Sequence, residues 1–592
     1  MDFRRLLLWG VFAFAVATLW DRWQVSNGHA ATFGLAQSPV TGMATNAQQG
    51  AANANPSATN SGDSVPSTSA ASGAGQSPGQ AAGGAGVPGD AGKAESAGEI
   101  VHIDTDIFRA DFDTRGASLV HLELLHADAS ADWTTEGLAG FVTRKTPGPV
   151  EHVVLFDRSS TREYLAQTGL TAAGGKDPLP NHHTLFTALP GARSLAGGQQ
   201  DLAVSFEASS GGVLLRKTFV FHRGRYDIGV RHDVENQSGA AVTPDLYLQL
   251  TRDNSQSEGD SYFNRYYTGP AIYDEADKYT KMSFEDIAKG KYPHDTPAKD
   301  GWLAMIQHYF LSAWIPPQGV QRDYYVGAVS DRLFKVGAVV ALGKLEPGAT
   351  ATDSSVLYAG PQDQKVIEAL APGMQLVADY GWLNPICKPL FQLLGFYEKL
   401  LGNWGWAIVL LTLTVKLAFY PIAAAGFKSM ARMKDVAPQL QKLKERIGDD
   451  KQKMQVAMME LYKKEKINPL GGCLPILVQI PVFLALFYML RGSVETRGAP
   501  WVLWIHDLAT PDPWFVLPTI MMATSWIQFK LQPTPPDPVQ ARMMMIMPFV
   551  FGVMFFFFPA GLVLYYVLNN ALSILQQWRI NKVIAKAKSA KQ

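Results

Sequence analysis

Inside the apolar run from Trp404 to Phe427, WGWAIVLLTLTVKLAFYPIAAAGF, the only charged residue is Lys416, near its middle. A run of about 20 apolar residues is long enough to span a bilayer. An ammonium group at the centre of a spanning helix costs roughly 2.5–3.5 kcal/mol on insertion scales. Lys416 is too deep to reach the interface easily, so an acidic partner, backbone carbonyls or a water-filled cavity must meet it. No other apolar stretch of this length carries an acid in its interior. That leaves water, or the acidic group of a visiting molecule. Gln479, Asn569 and Asn570 are further polar residues within such stretches. They either line a cavity with the lysine or hydrogen-bond between helices.

Other chemistry is sparsely represented. His121, Glu123 and His126 come nearest to a metal motif, and an exposed polar strand face explains them better. There is no Gly-x-x-x-x-Gly-Lys-Ser/Thr loop, no His-Glu-x-x-His and no Cys-x-x-Cys. No nucleotide, metal or other cofactor is therefore expected. The two cysteines, Cys387 and Cys473, offer no disulfide framework. Lys plus Arg balances Asp plus Glu at 52 each over 592 residues, so no overall pull toward nucleic acid is implied.

The elements that must position Lys416 follow from patterning along the chain. Residues 1–23 carry Arg4 and Arg5, then an apolar run ending near Trp20 and Trp23. This suits a cleaved signal peptide, with a weak site at Gly28-His29-Ala30, or an uncleaved anchor. The terminal tryptophans favour the anchor. Residues 24–98 become rich in Ala, Gly, Ser and Pro, a composition that stays disordered and serves as a tether. From 99 to 363, segments such as HVVLFD, DLAVSFEAS and VLLRKTFVFH alternate apolar and polar residues. Period-two patterning with turns between predicts an antiparallel β-sandwich. Residues 364–401 form a connector and then an amphipathic helix, with Leu390, Leu393, Leu394, Tyr397, Leu400 and Leu401 on one side. Directly before a span, such a helix suits the interface plane.

The Lys416 span occupies 402–427. Residues 428–468 read as a helical hairpin, with Gly448-Asp449-Asp450 at the turn, Pro438 as an expected kink and a five-charge basic excess over 428–466. Short basic loops stay in the cytoplasm. Spans three to six fall within 469–578, at Leu470–Leu490, Pro513–Phe529, Met543–Pro559 and Leu562–Trp578. The tail, 579–592, is basic without an acid. A cytoplasmic N-terminus and six crossings return the C-terminus to the cytoplasm, where both basic segments belong.

From about Trp382 onward the chain resembles the YidC/Oxa/Alb family of membrane insertases, in its Gram-negative form. The matching stretches are IGDDKQ (447–452), YKKEKINPLGGCLPILVQIPVFLALFYMLRGSVE (462–495), WIHDL (504–508) and PAGLVLYYVLNN (559–570). KTFVFHRGRYDI and LYAGP resemble the family's periplasmic domain more weakly. The resemblance implies a polytopic α-helical membrane protein of the inner membrane. It would have six spans, a five-helix insertase core, a large all-β periplasmic sandwich domain and a cytoplasmic helical hairpin. It also implies a monomer whose hydrophilic groove opens to cytoplasm and lipid, with one basic residue at the position of Lys416. Most members carry arginine there; lysine keeps the charge but loses the planar fork. By the same likeness Thr412 and Tyr566 face the groove, beside Gln479 and Asn569. Ile480, Pro481 and Phe483, with Phe555 to Phe558, would form an apolar slide for an emerging helix. The implied partners are nascent membrane proteins, the Sec translocon including SecYEG and SecDF, the lipid bilayer, and the ribosome through the hairpin and basic tail.

Two other readings remain from the residues. A solute transporter could use Lys416 as its substrate site, but the internal repeats and paired broken helices of transporters are missing from the sequence. An enzyme or envelope sensor could work through the β domain, where no catalytic constellation supports it.

Overall fold

The computed structural model describes residues 98–128, 136–144, 151–172, 178–255, 267–291, 297–378, 380, 383–448, 451–465, 474–532 and 538–589. The expected anchor, nearly all of the tether, and Cys473 lie outside the described residues. Two compact units emerge: Met1–Ala129 with Val150–Val377, and Ser130–Pro149 with Ala378–Gln592.

The first unit is a sandwich of two antiparallel sheets. One sheet runs in the order β1 (Ile100–Asp104), β2 (Phe108–Asp113), β3 (Ser118–Asp128), β4 (His152–Arg158), β5 (Glu163–Ala172), β10 (Pro244–Asp253), β16 (Leu333–Ala341), β15 (Arg322–Ala328). The other runs β12 (Lys278–Lys281), β11 (Gly269–Asp274), β13 (Trp302–Ile306), β14 (Phe310–Ile315), β17 (Thr350–Pro361), β9 (Asp227–Asn236), β8 (Val213–His222), β7 (Asp201–Ser210), β6 (Thr187–Ala188). Alternation sets which face is buried. On β8, Val213, Leu215, Lys217, Phe219 and Phe221 all point inward. Register Phe221↔Ile228 and Val213↔Asn236 keeps that face aligned on β9. A one-residue slip would turn every one of these side chains to solvent.

The core joins the two sheets. The ring of Phe112 on β2 lies 4.5 Å from Phe219 and 5.5 Å from Phe206 on the opposite sheet. The Trp314 indole N–H donates to the Gln249 carbonyl at 3.1 Å. Each such aromatic contributes about 1.5–3 kcal/mol by burial. The short helices α2 (Phe284–Ala288), capped by Ser283, and α3 (Gln364–Leu370), capped by Asp363, complete the unit. Ile367, Ala371 and Met374 pack on Trp302 and Tyr358, so the stretch after β17 belongs to the core of the β domain. His121 and Glu123 lie near Asp157 and Arg109 respectively. His121 and Glu123 are half-buried and His126 is exposed, alternating with the buried Leu122 and Leu124 on β3. Among the described residues no group of His, Cys, Asp or Glu could hold a metal.

The second unit is helical: α1 (Gly137–Thr143), α4 (Asn384–Leu401), α5 (Trp404–Ala418), α6 (Tyr420–Ile447), α7 (Lys451–Lys464), α8 (Leu474–Gly492), α9 (Val516–Leu531), α10 (Pro538–Met554) and α11 (Ala560–Ser589). The expected continuous span from Trp404 to Phe427 is broken. Phe419 leaves helical geometry at φ −90°, ψ 6°, and the axis bends by 65° between α5 and α6. Pro421 supplies the reason: it has no N–H to bond the Leu417 carbonyl four residues back, and its ring crowds that carbonyl. The pair Trp404–Ala418 and Tyr420–Val436 together has the length and hydropathy of a span. No single helix among the described residues is long and apolar enough to cross a membrane.

Three further differences concern helix ends. Helix α6 runs through Pro438 to Ile447, so the second half of the bent pair and the first arm of the hairpin are one element. Gly448 ends it at φ +71°, the left-handed geometry of a helix C-terminus. Helix α11 continues from Ala560 to Ser589, so the basic tail prolongs the last apolar helix. The apolar core of this unit joins α4, α5, α8, α9 and α11 through Leu394, Ile408, Leu411, Leu486, Met521 and Val563.

Candidate functional site

Helix α5 buries Ile408, Leu411, Thr412 and Val415 against the core, which fixes its rotation about its axis. That rotation leaves Lys416 half-buried in the last turn before the bend. Its ammonium donates to the Ser573 hydroxyl on α11 at 2.7 Å. Ser573 in turn donates to the Asn569 carbonyl at 2.7 Å, which aims its lone pairs at the lysine. Among the described residues no carboxylate pairs with Lys416. A lysine has three N–H donors, so one neutral hydroxyl leaves capacity for water or an incoming acceptor.

Helix α11 contributes a polar seam at helical spacing. Tyr565, Asn569, Ser573, Gln576 and Gln577 are all buried. The Tyr565 hydroxyl accepts from the Gln479 amide of α8. Asn570 donates to Ser525 on α9 at 2.8 Å. Gln576 donates to the Tyr420 carbonyl just past the bend, at 3.4 Å. Gln577 and Lys434 donate to the last carbonyl of α9, at Leu531 (3.1 and 3.0 Å). Tyr565 to Ser573 covers about 12 Å of helix at 1.5 Å per residue.

The residues singled out from sequence separate into groups. Lys416 meets the Asn569 backbone through Ser573, while the Asn569 side chain is buried in the seam. Gln479 meets Tyr565 rather than Lys416. The half-buried Tyr566 ring lies 5.1 Å from Phe483 and 4.9 Å from Phe555. Thr412 is 1% exposed and its hydroxyl donates to the Ile408 carbonyl of its own helix at 2.7 Å. Ile480 is 46% exposed on α8, while Pro481 lies within that helix and is half-buried. Ser573, Gln576 and Gln577 were not anticipated. Their spacing from Asn569, at four, seven and eight residues, was the available signal.

Residues 396–588 match the family described as 60Kd inner membrane protein, and residues 100–393 match the YidC periplasmic domain. The class is thus an inner-membrane protein carrying a periplasmic β-sandwich domain. The membrane protein insertase YidC of Bordetella petrii is 49% identical over 100% of this chain and 99% of its own. That of Cupriavidus necator is 48% identical over the same shares. A solved structure of an active YidC insertase with its first transmembrane domain resolved is 19% identical. It covers 81% of this chain and 94% of its own, with a TM-score of 0.35. The chain belongs to the YidC family of membrane protein insertases. Its named relatives are insertases rather than enzymes.

Proposed function

We propose that this insertase admits the polar part of a client into a hydrated groove centred on Lys416 and releases the client's apolar helix sideways into lipid. The observation that carries the reading is the Lys416 ammonium, half-buried, hydrogen-bonded to a neutral hydroxyl and unpaired with any carboxylate among the described residues. A polar tail crossing an apolar slab loses hydrogen bonds worth several kcal/mol per group. A wet groove reaching part of the way shortens that path, and Lys416 attracts acids in the tail. Burial of the client helix in lipid then drives release.

The groove is formed by Lys416, Gln479, Tyr566, Asn569 and the turn of α5 holding Thr412. The slide is the flank of α8 at Ile480, Pro481 and Phe483. Six spans, counting the anchor and the bent pair as one each, place both termini and the α6–α7 hairpin in the cytoplasm. There the hairpin and basic tail meet the ribosome. It acts alone or with the Sec translocon, and no nucleotide or metal takes part. Photocrosslinking from positions 412, 481 and 566 to a stalled nascent chain tests this reading. Adducts at all three are expected with Lys416→Arg retained and Lys416→Glu impaired for acidic-tailed clients. Equal insertion by wild type and Lys416→Glu would overturn the electrostatic part.

A further inference from the structure

Helix α1 carries its apolar residues on the side opposite to that expected of a helix in water. Leu138, Phe141 and Val142, at i, i+3 and i+4, form one stripe and are 38%, 81% and 64% exposed. The buried positions are Ala139 and Gly140, the smallest side chains available. A water-facing helix places such a stripe inward.

The small face allows close docking at the start of α9. The Ala139 N–H donates to the Pro513 carbonyl at 2.7 Å. Gly137, at φ +51°, lies so close to Trp514 that a Cβ there would sit 2.8 Å from the indole nitrogen. The same end of the unit exposes Leu503 by 79% and Trp514 by 50%. Asp512 holds that loop, accepting from the Trp504 indole at 2.9 Å and from the Leu517 N–H at 2.7 Å. Two residues after Trp514, α9 begins, with Ile520 and Ile527 exposed at i and i+7 along its flank. The exposed Arg144 follows the stripe directly.

We propose that α1 is a membrane-interface foot. Leu138, Phe141 and Val142 enter the headgroup–acyl boundary of the periplasmic leaflet, with Trp514 and Leu503 at the same level and Arg144 among the phosphates. Lipid is the occupant because the helix that carries the stripe docks at the start of α9, whose own flank exposes Ile520 and Ile527, with a half-exposed tryptophan at the junction as in an interfacial belt. Three side chains are far less than the roughly 800 Å² per partner of a stable protein interface. The inference rests on the reading that α9 lies in the bilayer.

Single cysteines replacing Phe141, Val142, Ile520 and Gln237 in the full chain, with Cys387 and Cys473 changed to alanine, carry an environment-sensitive fluorophore. The protein is placed in phosphatidylethanolamine–phosphatidylglycerol vesicles with nitroxide lipids as shallow and deep quenchers. Labels at 141 and 142 are expected to be quenched by the shallow nitroxide and several-fold less by iodide than the label at 237. The label at 520 should respond to the deep nitroxide. Iodide access at 141 and 142 equal to that at 237, with 520 still in lipid, overturns the foot alone. A water-exposed 520 overturns the membrane placement beneath it. Protection at 141 and 142 from iodide and nitroxide alike indicates a protein partner or second copy and also overturns the foot.

Discussion

Lys416 and Lys217 are two solutions to one problem, an ammonium taken out of water. Lys416 keeps a hydroxyl partner at 2.7 Å and a half-buried position. A hydrogen bond to a charged group contributes about 1.5–3 kcal/mol. Ser573→Ala should therefore slow insertion of acidic-tailed clients by roughly tenfold, with basic-tailed clients little changed, in a reconstituted assay. Loss of both to the same degree would assign Ser573 to packing instead. Lys416 was legible in the sequence because a charge in an apolar run is costly wherever the helix turns. Ser573 was not, because a serine in a helix is ordinary until its neighbour is known. Lys217 is fully buried and donates to the Gly116 and Thr168 carbonyls at 2.6 and 2.7 Å. Two acceptors match the two N–H groups of a neutral amine, and burial pushes its pKa down to about 7. Buried His232, within 3.0 Å of the Thr168 hydroxyl and 3.8 Å of Asp353, is also held below its ordinary value, mainly by desolvation. The unfolded chain binds the Lys217 proton up to about pH 10.5, whereas the folded domain releases it near 7. Stability from this residue is therefore complete above the unfolded value and lost as pH falls toward 7. Thermal unfolding of the β domain within the full chain should shift upward from pH 7 to 10. Lys217→Met should flatten that slope and lower stability most at pH 10, where its carbonyl partners lose their donor.

Element-scale order explains what patterning reveals and what it hides. Alternation along β8 exposed the sandwich because a half-buried strand repeats every two residues. Strands β10, β11, β13 and β14 are buried along their whole length and leave no such rhythm. The apolar run Trp404–Phe427 announced a membrane-length element, since hydropathy sums composition. It hid the bend, which depends on where one proline falls. That bend puts Lys416 at the end of a 15-residue helix and brings the Tyr420 carbonyl to Gln576. Pro421→Ala restores a donor to the turn and should straighten the pair. Spin labels at positions 406 and 428 would then move from about 28 Å apart to about 33 Å, from 1.5 Å per residue and the 65° bend. Insertion should fall with the straightening. An unchanged label distance would assign the bend to packing against α11 instead.

At the scale of the whole molecule, the proposed mechanism uses no nucleotide, so its direction must come from the client and the membrane. In the proposed mechanism the helix of the client gains by entering lipid, while its tail is carried outward past Lys416. With the cytoplasm negative, each acidic residue moved outward gains roughly 2.3 kcal/mol per 100 mV, and each basic residue loses as much. The proposed cationic groove and an inside-negative potential would therefore act on the same client in sequence: the lysine draws the acid in, and the field draws it off. A fixed charge that bound the acid without such a pull would hold it. Purified protein in vesicles, with potential set by a potassium gradient and no Sec components, tests the combination. Insertion of a client with two tail acids should rise steeply as the client side is made negative, and an otherwise identical client with two tail lysines should fall. In Lys416→Glu the acidic client should lose its advantage at zero potential yet keep its response to the field, because the field acts on the client's own charge. Identical voltage responses for acidic and basic tails would mean that the tail crosses without sensing the potential, and the path beside Lys416 would not be its route.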